Sequence, residues 1–171
     1  MKPILALFIA LVPMAAQALA APITLVDLKR ELDKRGVEAV QIAYLKGFPV
    51  AAGEFDGQPF FAILRNCALG KEPCGSVRFE ACGRPSGLPR SELLEIVNGY
   101  NAGFYSGSAF VEPNADLGAL ACVRLQIEFR DENLFGMDEV FAWQQTIEDF
   151  LNFYDERAGI SSRSKIMLET E

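Results

Sequence analysis

Apolar and polar residues alternate along residues 120–130, and this alternation constrains the fold more than any other feature of the 171-residue chain. Successive side chains of a strand point to opposite faces of a sheet, so every second residue shares a face. One face of this run is entirely apolar and consists of Ala121, Val123, Leu125, Ile127 and Phe129. The other carries Cys122, Arg124, Gln126, Glu128 and Arg130. The pattern predicts a strand of an antiparallel sheet with one face on a core.

Four earlier runs predict an antiparallel meander. The first alternates from Val37 through Tyr44 and ends at Lys46-Gly47, a sequence typical of a hairpin turn. The next three cover residues 49–55, 60–66 and 77–82, with a second turn at Asp56-Gly57. The run 60–66 is apolar on both faces. A short strand over 108–111, followed by a turn over 113–116, is expected before the long strand 120–130.

Three segments have the 3.6-residue period of a helix. Residues 24–35 form the first, where Thr24 and Asp27 have the spacing of a capping box and Gly36 follows the end. Residues 89–105 form the second, with Leu93, Leu94, Val97, Tyr100 and Phe104 predicted to face inward. The third begins near Met137 and ends at Ala158-Gly159, with an apolar stripe of Val140, Trp143, Ile147, Phe150, Leu151 and Tyr154.

The predicted element order is α-β-β-β-β-α-β-β-α. Strands grouped in runs, with helices between the runs, are typical of the α+β class. We therefore predict a twisted antiparallel sheet with the helices packed on one face. Half of the residues are hydrophobic, which is enough for one globular core.

The first twenty residues have the layout of a secretory signal peptide. Lys2 carries their only charge, residues 4–12 are apolar, and Ala18-Leu19-Ala20 is a small-residue cleavage signal. We expect a signal peptide over 1–20, one domain over 21–159 and a flexible tail over 160–171. The mature protein is then periplasmic or secreted. Since no apolar run of spanning length follows, we expect no membrane association after cleavage.

Export makes disulfides the expected state of Cys67, Cys74, Cys82 and Cys122. Four cysteines allow three pairings. A bridge between Cys67 and Cys74 would close the mouth of a hairpin, whereas Cys82 and Cys122 can be joined only if their strands are neighbours. A redox pair and a zinc site are weaker interpretations, because the C-x-x-C spacing and histidine are both missing.

The chain contains no histidine, which removes the commonest general base and the usual metal ligand. We therefore predict no enzymatic activity, no catalytic or metal site and no cofactor. The formal net charge of −7 argues against nucleic acid as a partner, since such proteins need clustered Lys and Arg. Carboxylate pairs at Asp131-Glu132 and Glu148-Asp149 are expected to be solvated.

Three short motifs resemble the YbjN family of bacterial proteins: residues 79–82, the N-x-aromatic-N element Asn98 to Asn101, and Phe104-Tyr105. The long strand leading into a C-terminal amphipathic helix fits the same family. One departure is Gly103, which stands where the family usually has arginine. The resemblance implies a fold similar to type III secretion chaperones and an assembly that is often dimeric. It implies no enzymatic activity, and the members of the family are provisionally described as sensory-transduction regulators. It also implies a cysteine pair at the Cys67–Cys74 hairpin in exported members.

The leading hypothesis is an exported domain that binds a protein or peptide and works as a homodimer. Asn98, Tyr100 and Asn101 are the candidate partner contacts, although asparagines at this spacing more often bond to backbone groups. One alternative is a periplasmic inhibitor of a cell-wall hydrolase or protease, with its contact loop at 68–73. The other is a hydrolase that uses two carboxylates alone.

Overall fold

The computed structural model describes residues 23–67, 72–103, 105–114, 116, 118–129 and 135–160. Within these ranges, three helices and six strands follow each other in the predicted order. They are α1 (Leu25–Lys34), β1 (Glu38–Leu45), β2 (Phe48–Phe55), β3 (Gln58–Cys67), β4 (Cys74–Cys82), α2 (Arg90–Ala102), β5 (Ser108–Asn114), β6 (Gly118–Glu128) and α3 (Met137–Ala158). The α+β fold class is confirmed.

The described strands form one antiparallel sheet in the order β1-β2-β3-β4-β6-β5. The first four strands are the predicted meander. β6 then pairs with β4, and Phe79 lies opposite Leu125 in that pair. β5 therefore forms one edge of the sheet and β1 the other.

The three helices cover one face of this sheet and share a single hydrophobic core with it. Trp143 of α3 lies at its centre, with its ring centroid 6.0 Å from that of Phe60 and 5.3 Å from that of Phe79. Leu28 and Leu32 of α1 and Val123 of β6 are fully buried in the same core. Each fully buried side chain of this size stabilises the fold by about 1.5–3 kcal/mol.

The predicted capping box at the start of α1 is confirmed. Thr24 Oγ1 accepts a hydrogen bond from the Asp27 N–H at 3.2 Å, and the Thr24 N–H donates to Asp27 Oδ2 at 3.3 Å. Glu72 supports the same helix end, because its carboxylate accepts from the Leu25 N–H at 3.0 Å and from the Tyr44 hydroxyl at 2.8 Å.

Three local predictions differ from the structure. α2 ends at Ala102, because Gly103 has an extended backbone with ψ of 161°. On that helix Leu94 is exposed, whereas its neighbour Ile96 is buried. β5 continues past Val111 to Asn114, so Pro113 belongs to the strand. Proline has no N–H to donate. On an edge strand the position that faces away from the sheet has no partner strand, so no hydrogen bond of the sheet is lost there.

Candidate functional site

The sheet face opposite the helices carries a row of three arginines: Arg65 on β3, Arg78 on β4 and Arg124 on β6. Strand register sets this placement, since Arg78 lies opposite Ile63 and Gln126, and Arg124 lies opposite Glu80. We call this side of the sheet the outer face. Its other apolar side chains include Leu45, Phe48, Val50, Phe61, Ile63, Phe110 and Leu120, and its other polar side chains include Glu54, Glu80, Glu112, Gln126 and Glu128.

Glu80 lies between two of these arginines. Its Oε1 is 2.8 Å from Arg124 Nε and 3.0 Å from Arg78 Nε. Burial lowers the pKa of Arg78 from its usual value, the Glu80 charge opposes that shift, and the positive charges of Arg65 and Arg124 add to it. Glu80 thus pairs with both Arg78 and Arg124, and the three guanidinium groups lie close enough to repel one another.

Two of the arginines also stack on aromatic rings of the outer face. The Arg65 Cζ atom lies 4.4 Å from the centroid of Phe48, and the Arg124 Cζ atom lies 4.3 Å from that of Phe110. Arg65 Nε is buried without a hydrogen-bond partner among the described residues. Stacking fixes the planes of both guanidinium groups, and a fixed plane suits bidentate recognition of a carboxylate.

The part of the outer face nearest β1 is apolar and exposed. Leu45 is 60% exposed, Phe61 53% and Phe48 44%. An open depression of about 180 Å³ adjoins this patch, lined by Gly47, Phe48, Pro49, Arg65, Asn66 and Cys67. This volume is below that of most small-molecule sites and suits one inserted side chain. Phe61 lies opposite Ala52, four positions along β2 from Phe48, with Val50 and Ile63 between them on the same face. Several exposed apolar side chains on one face are typical of an interaction surface.

The residues predicted as partner contacts lie on α2, away from the outer face. Asn101 Nδ2 donates to the carbonyl oxygen of Ala109 at 2.9 Å, and its Oδ1 accepts from the Ala109 N–H at 2.7 Å. Tyr100 is buried, and its hydroxyl donates to the Ser106 carbonyl oxygen at 2.9 Å. Asn98 is exposed. The first two side chains thus join α2 to β5, and a contact role for the three stays a prediction.

Sequence reasoning did not single out the outer face as a site. A signal was present in the run 60–66, whose second apolar face carries Phe61 and Ile63. A run that is apolar on both faces is typical of a strand buried on both sides of a sheet. The structure instead leaves Phe61 exposed.

The cysteines form two disulfides, Cys67–Cys74 and Cys82–Cys122, and no described cysteine is free. Each pair lies directly opposite across two neighbouring strands, with Cα atoms 3.9 Å and 3.8 Å apart. One bridge ties the start of β4 to β3, and the other ties its end to β6. Both bridges are compatible with an oxidising, exported location.

Other predictions fall partly outside the described residues. These are the signal peptide, Phe104, most of the loop 68–73, the pair Asp131-Glu132 and most of the tail. The carboxylates of Glu148 and Asp149 lie on an exposed part of α3. Among the helices that the structure describes, none has the length and apolarity needed to cross a membrane.

No protein-family model and no curated protein sequence matches the chain. Two solved structures share its fold. YbjN of E. coli, which is provisionally described as a transcription regulator, is 16% identical with a TM-score of 0.52, over 82% of this chain and 94% of YbjN. An uncharacterized protein from Methanothermobacter thermautotrophicus is 9% identical with a TM-score of 0.52, over 77% of this chain and 94% of its own. The fold is therefore YbjN-like.

Proposed function

We propose that this chain is an exported, non-enzymatic member of the YbjN family that binds a protein or peptide on its outer face. The observation that carries the proposal is the exposure of Leu45, Phe48 and Phe61 on the same face as the three arginines. The exposed side of an antiparallel sheet is normally polar. A partner that covers the exposed aromatic side chains would explain why they lie on this face.

The chemistry of the outer face indicates what such a partner presents. Apolar side chains would cover Phe48 and Phe61, and carboxylates would reach Arg65, Arg78 and Arg124. Arg65 and Arg124 are already held over Phe48 and Phe110. Binding a carboxylate therefore costs little further side-chain conformational entropy. We therefore expect an extended segment that combines Asp or Glu with aliphatic or aromatic residues.

Two sequence features support the remaining parts of the proposal. The absence of histidine supports a binding role rather than catalysis. The net charge of −7 supports a protein partner rather than nucleic acid. Export is supported by the signal-like segment 1–20 and by the two disulfides.

Selection of linear peptides from a displayed library tests this proposal. Enriched peptides should combine acidic with apolar residues, and their affinity should fall about tenfold for Phe61→Ser and for Arg65→Gln. The matched control is Phe141→Ser on α3, because Phe141 is exposed to a similar extent, 43%, but lies away from the outer face. Equal affinity of the selected peptides for Phe61→Ser, Arg65→Gln and wild-type protein would overturn the proposal.

A further inference from the structure

The sequence that follows α3 has the chemistry expected of a ligand for the outer face. This segment, residues 161–171, lies outside the described residues. Its first five residues are polar or basic, and its last six are Ile-Met-Leu-Glu-Thr-Glu. The last six thus combine apolar side chains with two carboxylates, as we expect of the partner of the outer face. The chain therefore carries a candidate ligand of its own.

α3 ends beside the end of β4 that carries Cys82. The Tyr154 hydroxyl donates to the carbonyl oxygen of Arg84, two residues past β4, at 2.8 Å. Ile160, just after the helix, packs partly buried against the core. Segment 161–171 therefore starts at this end of the sheet.

Segment 161–171 is long enough to pass round this end of the sheet onto the outer face. An extended chain spans about 3.3–3.6 Å per residue, which gives on the order of 36 Å for the whole segment. Packed layers lie about 10 Å apart, and a strand rises about 3.4 Å per residue. Phe61, Glu80 and Arg124 lie in one row across β3, β4 and β6, two positions from the disulfide that joins β4 to β6. This row is within reach of the last six residues.

The order of charges along the segment is complementary to that along the outer face. Exposed Glu112 lies near the end of the outer face, and Arg124 and Arg78 lie further from this end. In the segment, two basic residues precede the apolar stretch and two acidic residues follow it: Arg163, Lys165, Glu169 and Glu171. A segment that enters from this end meets acidic groups with its basic part and arginines with its acidic part.

We propose, resting on the proposed function of the outer face, that residues 166–171 of the same chain occupy this face until a partner displaces them. They cover Phe61, which is otherwise 53% exposed, and pair with Arg78 and Arg124. A tethered ligand acts at an effective concentration in the mM range, so contacts that are weak between separate molecules suffice here. A partner then binds only if it competes with this segment.

The spacing of the side chains supports this occupant. In an extended segment every second residue shares a side, which groups Met167 with Glu169 and Glu171 at steps of about 7 Å. Arg78 and Arg124 are diagonal neighbours on adjacent strands, a separation of about 7–8 Å. Each carboxylate can therefore reach one arginine, and the methionine is left to cover the phenylalanine ring.

Methionine methyl NMR of the full chain tests the contact with Phe61. Met137 and Met167 are the only methionines after the signal-like segment 1–20, and Met137, 41% exposed on α3, is the control. The ring current of Phe61 should shift the Met167 signal away from the position of a free methionine. Phe61→Ser should return it to that position and leave the Met137 signal unchanged. A Met167 signal at the same position in both proteins would overturn the proposal.

Competition with peptides selected on the outer face tests the charge pairing. Glu169→Lys/Glu171→Lys should raise the affinity of these peptides about tenfold, because the competing segment no longer binds. The control Glu148→Lys/Asp149→Lys makes the same change of charge on an exposed part of α3 and should leave the affinity unchanged. Equal affinities for wild-type protein and Glu169→Lys/Glu171→Lys, or an equal gain in the control, would overturn the proposal.

The two proposals fail in different ways. If the selected peptides lose affinity with Phe61→Ser and Arg65→Gln but not through competition with the segment, the outer face binds a partner and the segment does not occupy it. If no selected peptide depends on Phe61 or Arg65, the proposed function fails, and the Met167 signal still reports whether the segment contacts Phe61.

Discussion

The Asn101 side chain bonds to Ala109 as a neighbouring strand would. Its amide donates to the Ala109 carbonyl oxygen at 2.9 Å, and its carbonyl oxygen accepts from the Ala109 N–H at 2.7 Å. This pair of bonds attaches the end of α2 to the edge strand β5. It also explains why an asparagine at this helical position is useful to the fold, independently of any partner.

Replacing Asn101 by alanine should therefore destabilise the domain by about 1–3 kcal/mol, since two backbone groups lose their partners. Urea unfolding monitored by circular dichroism measures the change. Asn98→Ala, on the same helix but exposed, is the control and should change stability by less than about 0.5 kcal/mol. If both variants unfold at the wild-type urea concentration, the bonds to Ala109 contribute nothing to stability.

Gly107 is the glycine where a side chain should be tolerated least. Its φ is +80°, and a Cβ atom there would lie 2.5 Å from the Arg124 carbonyl oxygen. Gly107→Ala should cost more than about 2 kcal/mol, because backbone strain and a clash with backbone add together. Thermal unfolding checks this value.

Gly87 provides the matched comparison for Gly107. It has a similar φ of +71°, but no atom lies within 4 Å of a Cβ built there. Gly87→Ala should cost only the backbone strain, about 1 kcal/mol. Equal losses for the two variants would show that the close approach to β6 is unimportant.

The sequence predicts the elements of this fold better than their arrangement. The apolar stripe of α3 and the alternation of β6 are clear sequence signals, because each element buries one face in the core between the helices and the sheet. The pairing of β4 with β6 is not visible locally, since α2 and β5 separate these strands in the chain. For the same reason the Cys82–Cys122 bridge could only be stated as conditional on neighbouring strands.

The outer face shows a second limit of local patterns. Alternation places Phe61 and Arg78 on the face away from the core, but it does not tell whether that face is covered. The three helices of the described part of the chain all lie on the opposite side, and none of them covers this face. The extension of β5 through Pro113 also depends on arrangement, because β5 lies at an edge of the sheet, where a residue without an N–H can occur late in a strand.

The capping box of α1 should make stability depend on pH in the acid range. The hydrogen bond that the Thr24 hydroxyl donates to Asp27, 2.6 Å long, lowers the pKa of Asp27 below its usual value of 3.8. A carboxyl group with a lowered pKa stabilises the folded state above the unfolded pKa. The contribution of Asp27 to the free energy of unfolding is lost as the pH falls through the pKa that this group has in the folded protein.

Urea unfolding between pH 7 and the acid limit of folding measures this effect. Asp27→Asn should remove the Asp27 part of the acid dependence, and it should lower stability at neutral pH by about 1 kcal/mol or less because the carboxylate is partly exposed. Asp33→Asn is the control, since Asp33 is exposed on the same helix and lies outside the capping box. An unchanged acid profile in Asp27→Asn would argue against the assigned cause.

The two disulfides should contribute unequally to stability. Cys82–Cys122 closes a loop with a sequence separation of 40, whereas Cys67–Cys74 closes one of 7. Chain-entropy arithmetic gives about 4 kcal/mol for the longer loop and about 2.5 kcal/mol for the shorter one. The variant pair Cys82→Ala/Cys122→Ala should therefore unfold at a lower urea concentration than Cys67→Ala/Cys74→Ala.

Each double-alanine variant serves as the control for the other, because both remove two cysteines from β4 and a neighbouring strand. A thiol reagent should find no reactive thiol in the unreduced wild-type protein, in keeping with both bridges. If the Cys67–Cys74 variant proves the less stable of the two, loop closure does not set the ranking. Packing around the fully buried Cys74, which lies in the core beside the Ile23 backbone, would then be the larger effect.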